Sequence, residues 1–103
     1  MILSDNMYIG DKADKKKKDI IRKIKKGKVQ FGKYVLALPF NDSDVLDIYP
    51  SAILVQKYFM KSDLYIVGIA DGKKEADELM QTILMDCYNQ TGDFNLKNYF
   101  MAM

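Results

Sequence analysis

The clearest pattern lies in residues 73–89, where Ala76, Leu79, Met80, Ile83, Leu84, Cys87 and Tyr88 recur at alternating steps of three and one. That spacing lines one side of a helix, and Thr91-Gly92 follows as its stop. A narrower stripe, Ile20, Ile21 and Ile24, predicts a second helix over residues 14–26. Asp14 suits its N-cap or its first turn. Arg22, Lys23, Lys25 and Lys26 crowd the last turn, and Gly27 suits the left-handed position beyond it.

Two runs are apolar on both strand faces, Tyr34-Val35-Leu36-Ala37-Leu38 and Leu64-Tyr65-Ile66-Val67-Gly68-Ile69-Ala70. Each predicts a strand covered on both sides, as in a parallel sheet under helices. Pro39 ends the first and Asp71-Gly72 the second. Gly32 marks a bulge or a turn, and residues 41–44 form a polar turn. Between the strands, Pro50 opens a predicted helix over residues 50–60 with Ala52, Val55, Tyr58 and Phe59 on one side. The rival reading is a strand over residues 53–60, since Ile, Val, Tyr and Phe favour strands. The helix is preferred because two double-faced strands require a crossover. Asp93 is placed to cap a short last helix carrying Phe94, Leu96 or Lys97, and Phe100.

The expected fold is α/β: a small parallel sheet of two or three strands, in the order α-β-α-β-α plus a short C-terminal helix. Residues 1–10 show no sustained periodicity and read as an irregular arm, with residues 11–103 as a single domain. Two strands leave open edges, so either residues 29–31 add a strand or the sheet pairs across a homodimer.

Charge changes this picture most. Residues 11–33 hold eleven basic residues against three acids, a local charge of +8, whereas residues 34–103 hold five against ten, or −5. The candidate polyanion-binding residues are Lys15, Lys16, Lys17, Lys18, Arg22, Lys23, Lys25 and Lys26. Among the lysines there is no aromatic residue, only Phe31 and Tyr34 at the border, and Lys outnumbers Arg fifteen to one. Any nucleic-acid binding would therefore use the backbone and weaken with salt. Three isoleucines also make a thin face for membrane insertion. A solvated helix whose isoleucines cover the sheet is the plainer reading.

Composition excludes much chemistry. There is no His, and Cys87 is the only cysteine. A histidine base, a four-ligand Cys or His zinc site and an intrachain disulfide are all excluded. No catalytic residue, metal ligand or cofactor is implied. Gly68-Ile69-Ala70-Asp71-Gly72-Lys73-Lys74 fails as a phosphate loop, with three residues between its glycines and Lys74 where a hydroxyl belongs. Asp71, Gly72 and Lys73 remain candidate anion-binding residues at a strand end, although a plain βα turn is the preferred reading. Asp42, Asp44 and Asp47 begin like a calcium loop, but Leu46 takes the third ligand position. Cys87 lies on the apolar side of its helix and reads as a packing thiol.

The longest apolar run, residues 34–40, is too short to span a membrane, and the start of the chain does not read as a signal peptide. Residues 45–92, with Asp47-Ile48-Tyr49, the run from Tyr65 to Ala70 and the acidic helix closing on Thr91-Gly92, resemble a group of short proteins from clostridia-like bacteria. The resemblance implies a bacterial cytoplasmic protein and carries no activity over to any residue. The leading expectation is a non-catalytic interaction module that forms a homodimer, ahead of non-specific nucleic-acid binding and of a small-anion site at the strand ends.

Overall fold

Four segments pair into one mixed sheet in the order β1-β4-β2-β3 in a computed structural model that describes residues 1–38, 46–57 and 61–101. They are β1 (Ile2–Ile9), β2 (Lys33–Leu38), β3 (Asp47–Pro50) and β4 (Tyr65–Asp71). Helices α1 (Asp11–Asp14) and α2 (Lys17–Lys25) cover one face with a 3-10 turn, Ser51–Val55. Helices α3 (Lys73–Thr91) and α4 (Leu96–Met101) cover the other. The α/β class is as expected; the size and direction of the sheet are not.

The segment read as an irregular arm is an edge strand. β1 runs parallel to β4, pairing Ile2 with Tyr65 and Leu3 with Ile66, then Tyr8 with Gly68 and Ile9 with Ile69. Five positions of β1 thus advance against two of β4, so the polar residues Ser4, Asp5 and Asn6 bulge out of the ladder. Ser4 Oγ accepts the Asn6 amide at 3.1 Å inside that bulge. The bulge erases the alternation that would reveal the strand.

The two double-faced strands are antiparallel, not parallel. β2 pairs antiparallel with both β4 and β3. Their apolarity on both faces reflects helices on both sides, whatever the strand direction. A second bulge sharpens the point: Leu36 faces Gly68 and Ala37 faces Ile66, which leaves Val67 as the extra residue. Val67 and Ala70 consequently pack with Leu36 under α3, while Ile66 and Ile69 pack with Val35 and Ala37 under α2. Gly68 sits at this point of closest approach, where a Cβ would lie 3.3 Å from Leu79 Cδ2 and from the Tyr8 carbonyl.

Pro50 opens a 3-10 helix of five residues, Ser51–Val55, and not the continuous helix expected over residues 50–60. Pro50 itself ends β3, an outer strand where a missing amide donor is tolerated. The 3-10 turn that follows stops at Gln56, whose backbone is extended (φ −69°, ψ 138°). The rival strand over residues 53–60 is not formed either, since Ile53, Leu54 and Val55 lie in the turn. The predicted Tyr58 and Phe59 contacts, Pro39 and the turn at residues 41–44 lie outside the described residues. Residues 29–31 add no strand; the extra strands are β1 and β3.

The predicted helix over residues 14–26 divides within its lysine run, where Lys16 (φ −125°, ψ 23°) separates α1 from α2. Four adjacent cations repel one another there. Its end is as expected: Gly27 takes φ 67°, with Gly27 N–H on the Ile24 carbonyl and Lys28 N–H on the Lys23 carbonyl. That pair of bonds is a Schellman closure. In α3 the buried residues Ala76, Leu79, Ile83 and Cys87 match the predicted stripe, and Gly92 closes the helix at φ 80°. Asn95, not Asp93, caps α4, its Oδ1 accepting the Asn98 amide at 3.2 Å. Asp93 Oδ1 instead accepts the Asn95 amide at 2.9 Å and braces the preceding turn.

Candidate functional site

Where β1 and β4 end side by side, each runs into a helix through a glycine, Gly10 before α1 and Gly72 before α3. Two helix starts and two strand ends collect unpaired amides, which is the setting of the expected anion site. The chain supplies its own anion. Glu75 Oε1 accepts the amides of Asp71 (2.9 Å) and Ala13 (3.1 Å), and Oε2 accepts that of Lys12 (2.7 Å). A Cβ on Gly10 would collide with this carboxylate. Burial works against the charge on Glu75, but the three amides outweigh it and hold its carboxyl below the ordinary glutamate value.

The three candidate anion-binding residues are all engaged within the chain. The Asp71 carboxylate pairs with Lys33 at 3.1 Å, and the Gly72 amide donates to the Gly32 carbonyl at 2.8 Å. The Lys73 ammonium pairs with Asp77 at 2.6 Å. Glu75 was not singled out from the sequence. Its signal is a glutamate three residues beyond the N-cap glycine, the position from which a side chain reaches back to cap.

The lysine face is different. Asp19 holds Arg22 and, at 3.1 Å, Lys23, and these two keep its carboxyl below the usual range. Lys15, Lys16, Lys17, Lys18, Lys25 and Lys26 are exposed and have no carboxylate partner among the described residues. The same holds for Lys12 and Lys28. Ile20 and Ile24 are buried against the sheet, at 1% and 2% exposure, so they offer nothing to an outside surface. Ile21 is half-buried in a shallow groove between Lys17, Lys18, Arg22, Lys25 and Lys26. The eight predicted polyanion-binding residues therefore run from the junction of α1 and α2 at Lys15 and Lys16 to the end of α2 at Lys26, with Arg22 and Lys23 drawn to Asp19.

Other candidates resolve into structure. Cys87 is buried, and its thiol donates to the Asp93 carbonyl at 3.4 Å. Asp47 accepts the Tyr49 hydroxyl at 3.1 Å within β3, and the other two calcium-loop positions lie outside the described residues. Tyr8 donates to Asp86 at 2.8 Å and shares a 2.8 Å bond with Tyr99, tying β1 to α3 and α4. Burial, then these partners, drive its hydroxyl far above the ordinary tyrosine value. No trio of His, Cys, Asp or Glu among the described residues is arranged to hold a metal, and no helix is long and apolar enough to cross a membrane.

On the outer side of α3, Tyr88 stacks on Phe94 with ring centroids 5.2 Å apart, and both remain about half exposed. Met85 is exposed beside them in sequence and Leu84 is half-buried. Compared with family models, curated proteins and solved structures, the chain has no significant match in any of the three.

Proposed function

We propose that this chain is a non-catalytic docking module whose working surface is the lysine face of α1 and α2, held against a polyanionic partner. The observation that carries this reading is the run of exposed lysines left without carboxylate partners among the described residues. Cations that merely solubilise a surface are usually interspersed with acids. Here eleven cations meet only Asp11, Asp14 and Asp19, and Asp19 is taken up by Arg22 and Lys23, so the face projects a net positive field. The reading is tested by retention on immobilised heparin with increasing salt, beside a variant carrying Lys15→Glu, Lys18→Glu and Lys25→Glu. Wild type elutes late and the variant early; equal elution overturns the reading.

A second reading, self-association, is favoured by the Tyr88–Phe94 stack on the outer side of α3. A half-exposed aromatic pair is the kind of anchor a homodimer buries. Sedimentation equilibrium of wild type against Tyr88→Ser/Phe94→Ser separates the cases: a dimer that the double substitution dissociates supports it, and a monomeric wild type removes it. A lone buried thiol suits a reducing compartment, which supports a cytoplasmic reading.

A further inference from the structure

We infer that the polyanion is an anionic lipid bilayer and that the loop after α2 inserts an apolar tip into it. This inference rests on the docking reading above and adds its partner. Phe31 is 86% exposed, against 48–59% for the other exposed large apolar side chains among the described residues, and Val29 beside it is 52% exposed. Between them Gln30 is only 8% exposed, so the segment alternates outward, inward, outward.

The outward residues are held there. Lys28 N–H donates to the Lys23 carbonyl at 2.9 Å, and Gln30 Nε2 to the Ile20 carbonyl at 3.2 Å, so the segment lies back along α2. On its far side the Gly32 carbonyl accepts the Gly72 amide at 2.8 Å, and Lys33 pairs with Asp71. Fastened at both ends, the loop cannot fold Phe31 inward. Exposed cations flank it: Lys26 and Lys28 on one side, and Lys74 beyond the Gly32–Gly72 bond on the other.

An apolar tip with exposed lysines on either side of it matches the boundary of an anionic bilayer, where the tip enters the acyl region and the ammonium groups meet headgroup phosphates. Nucleic acid fits less well. An aliphatic Val29 has no stacking role, the single aromatic forms no platform, and the one arginine is held by Asp19. Ile20 and Ile24 of α2 are inside and Ile21 is half-buried, so Phe31 and Val29 are the exposed apolar side chains beside this face.

The chain has no tryptophan, so Phe31→Trp installs a unique reporter at the tip. The full chain carrying it is mixed with vesicles of phosphatidylcholine plus phosphatidylglycerol, with phosphatidylcholine vesicles, and with single-stranded DNA. A blue shift on the anionic vesicles alone supports the inference. Co-sedimentation of wild type and Phe31→Ser with the anionic vesicles gives the second readout. Burial of a phenylalanine side chain corresponds to a loss of about tenfold or more in vesicle affinity on that substitution. Equal vesicle binding by the two proteins overturns insertion, as does binding to heparin or DNA without vesicle binding, and both leave the docking reading standing. Binding to none of heparin, DNA or vesicles overturns both. Circular dichroism verifies that the Phe31 variants fold, as the exposure of that side chain leads us to expect.

Discussion

One carboxylate oxygen of Glu75 accepts the amide of Ala13, 62 positions earlier in the chain, at 3.1 Å. The same oxygen accepts the Asp71 amide at 2.9 Å, so a single side chain closes both strand-to-helix turns of the parallel pair. Replacing it with Gln keeps the shape and removes the charge. We expect Glu75→Gln to cost about 1 kcal/mol and Glu75→Ala about 2 kcal/mol, in the range of lost helix caps, read by urea denaturation. No change on Glu75→Ala would mean that the junction is held by other contacts.

The same group gives the fold a pH dependence. Its folded value lies below the ordinary glutamate value, so its contribution is fully present above that ordinary value and fades as pH falls through the depressed folded value. Wild type should lose stability more steeply than Glu75→Gln when denaturation is followed from neutral pH to below 4.5. Parallel curves for the two proteins would contradict this.

Gly10 and Glu75 should not behave independently. A methyl group on Gly10 displaces the carboxylate, so Gly10→Ala is expected to cost about 1–3 kcal/mol, as overpacking does. With Glu75→Ala already present, most of that cost should vanish. A double-mutant cycle measures the coupling, and simple additivity would show that the clash is relieved some other way.

β1 belongs to the fold, and its Tyr8 is the means of testing that. Tyr8→Phe removes the hydroxyl from Asp86 and Tyr99, and each hydrogen bond is worth about 1 kcal/mol net. Thermal denaturation should show the loss, and a shift within error would place β1 outside the cooperative unit.

Gly68 leaves little room for a larger residue. Gly68→Val would push a branched side chain against Leu79 and the Tyr8 carbonyl, an overpacking expected to cost about 3 kcal/mol or to prevent folding. Gly68→Ala is the milder control, and wild-type stability in both would show that β1 and α3 can separate.

Much of the architecture could be read in advance because helix stripes and glycine stops are local. α3 carries its apolar side at regular spacing, and Gly27 and Gly92 both end helices as their positions suggest. Strand direction was not legible. A strand covered by helices on both faces is apolar throughout in either direction, and the extra residue Val67 further blurs β4. β1 was hidden by the polar bulge of Ser4, Asp5 and Asn6. The lysine face was visible as charge, but the exposure of Phe31 was not, because a bare tip and a core aromatic look alike in one dimension. Glu75 was missed because its partners are distant in the chain and gathered only by the fold.

The parallel pairing of β1 with β4 has a consequence during synthesis. Ile2 waits for Tyr65, and Ile9 for Ile69, so β1 leaves the ribosome some sixty residues before its partner. At about 5–20 residues per second the strand spends several seconds with its ladder unfilled. Its three-residue polar interruption breaks the apolar stretch during that interval, which makes premature pairing with another nascent chain less favourable. The irregularity that disguises the strand also guards it.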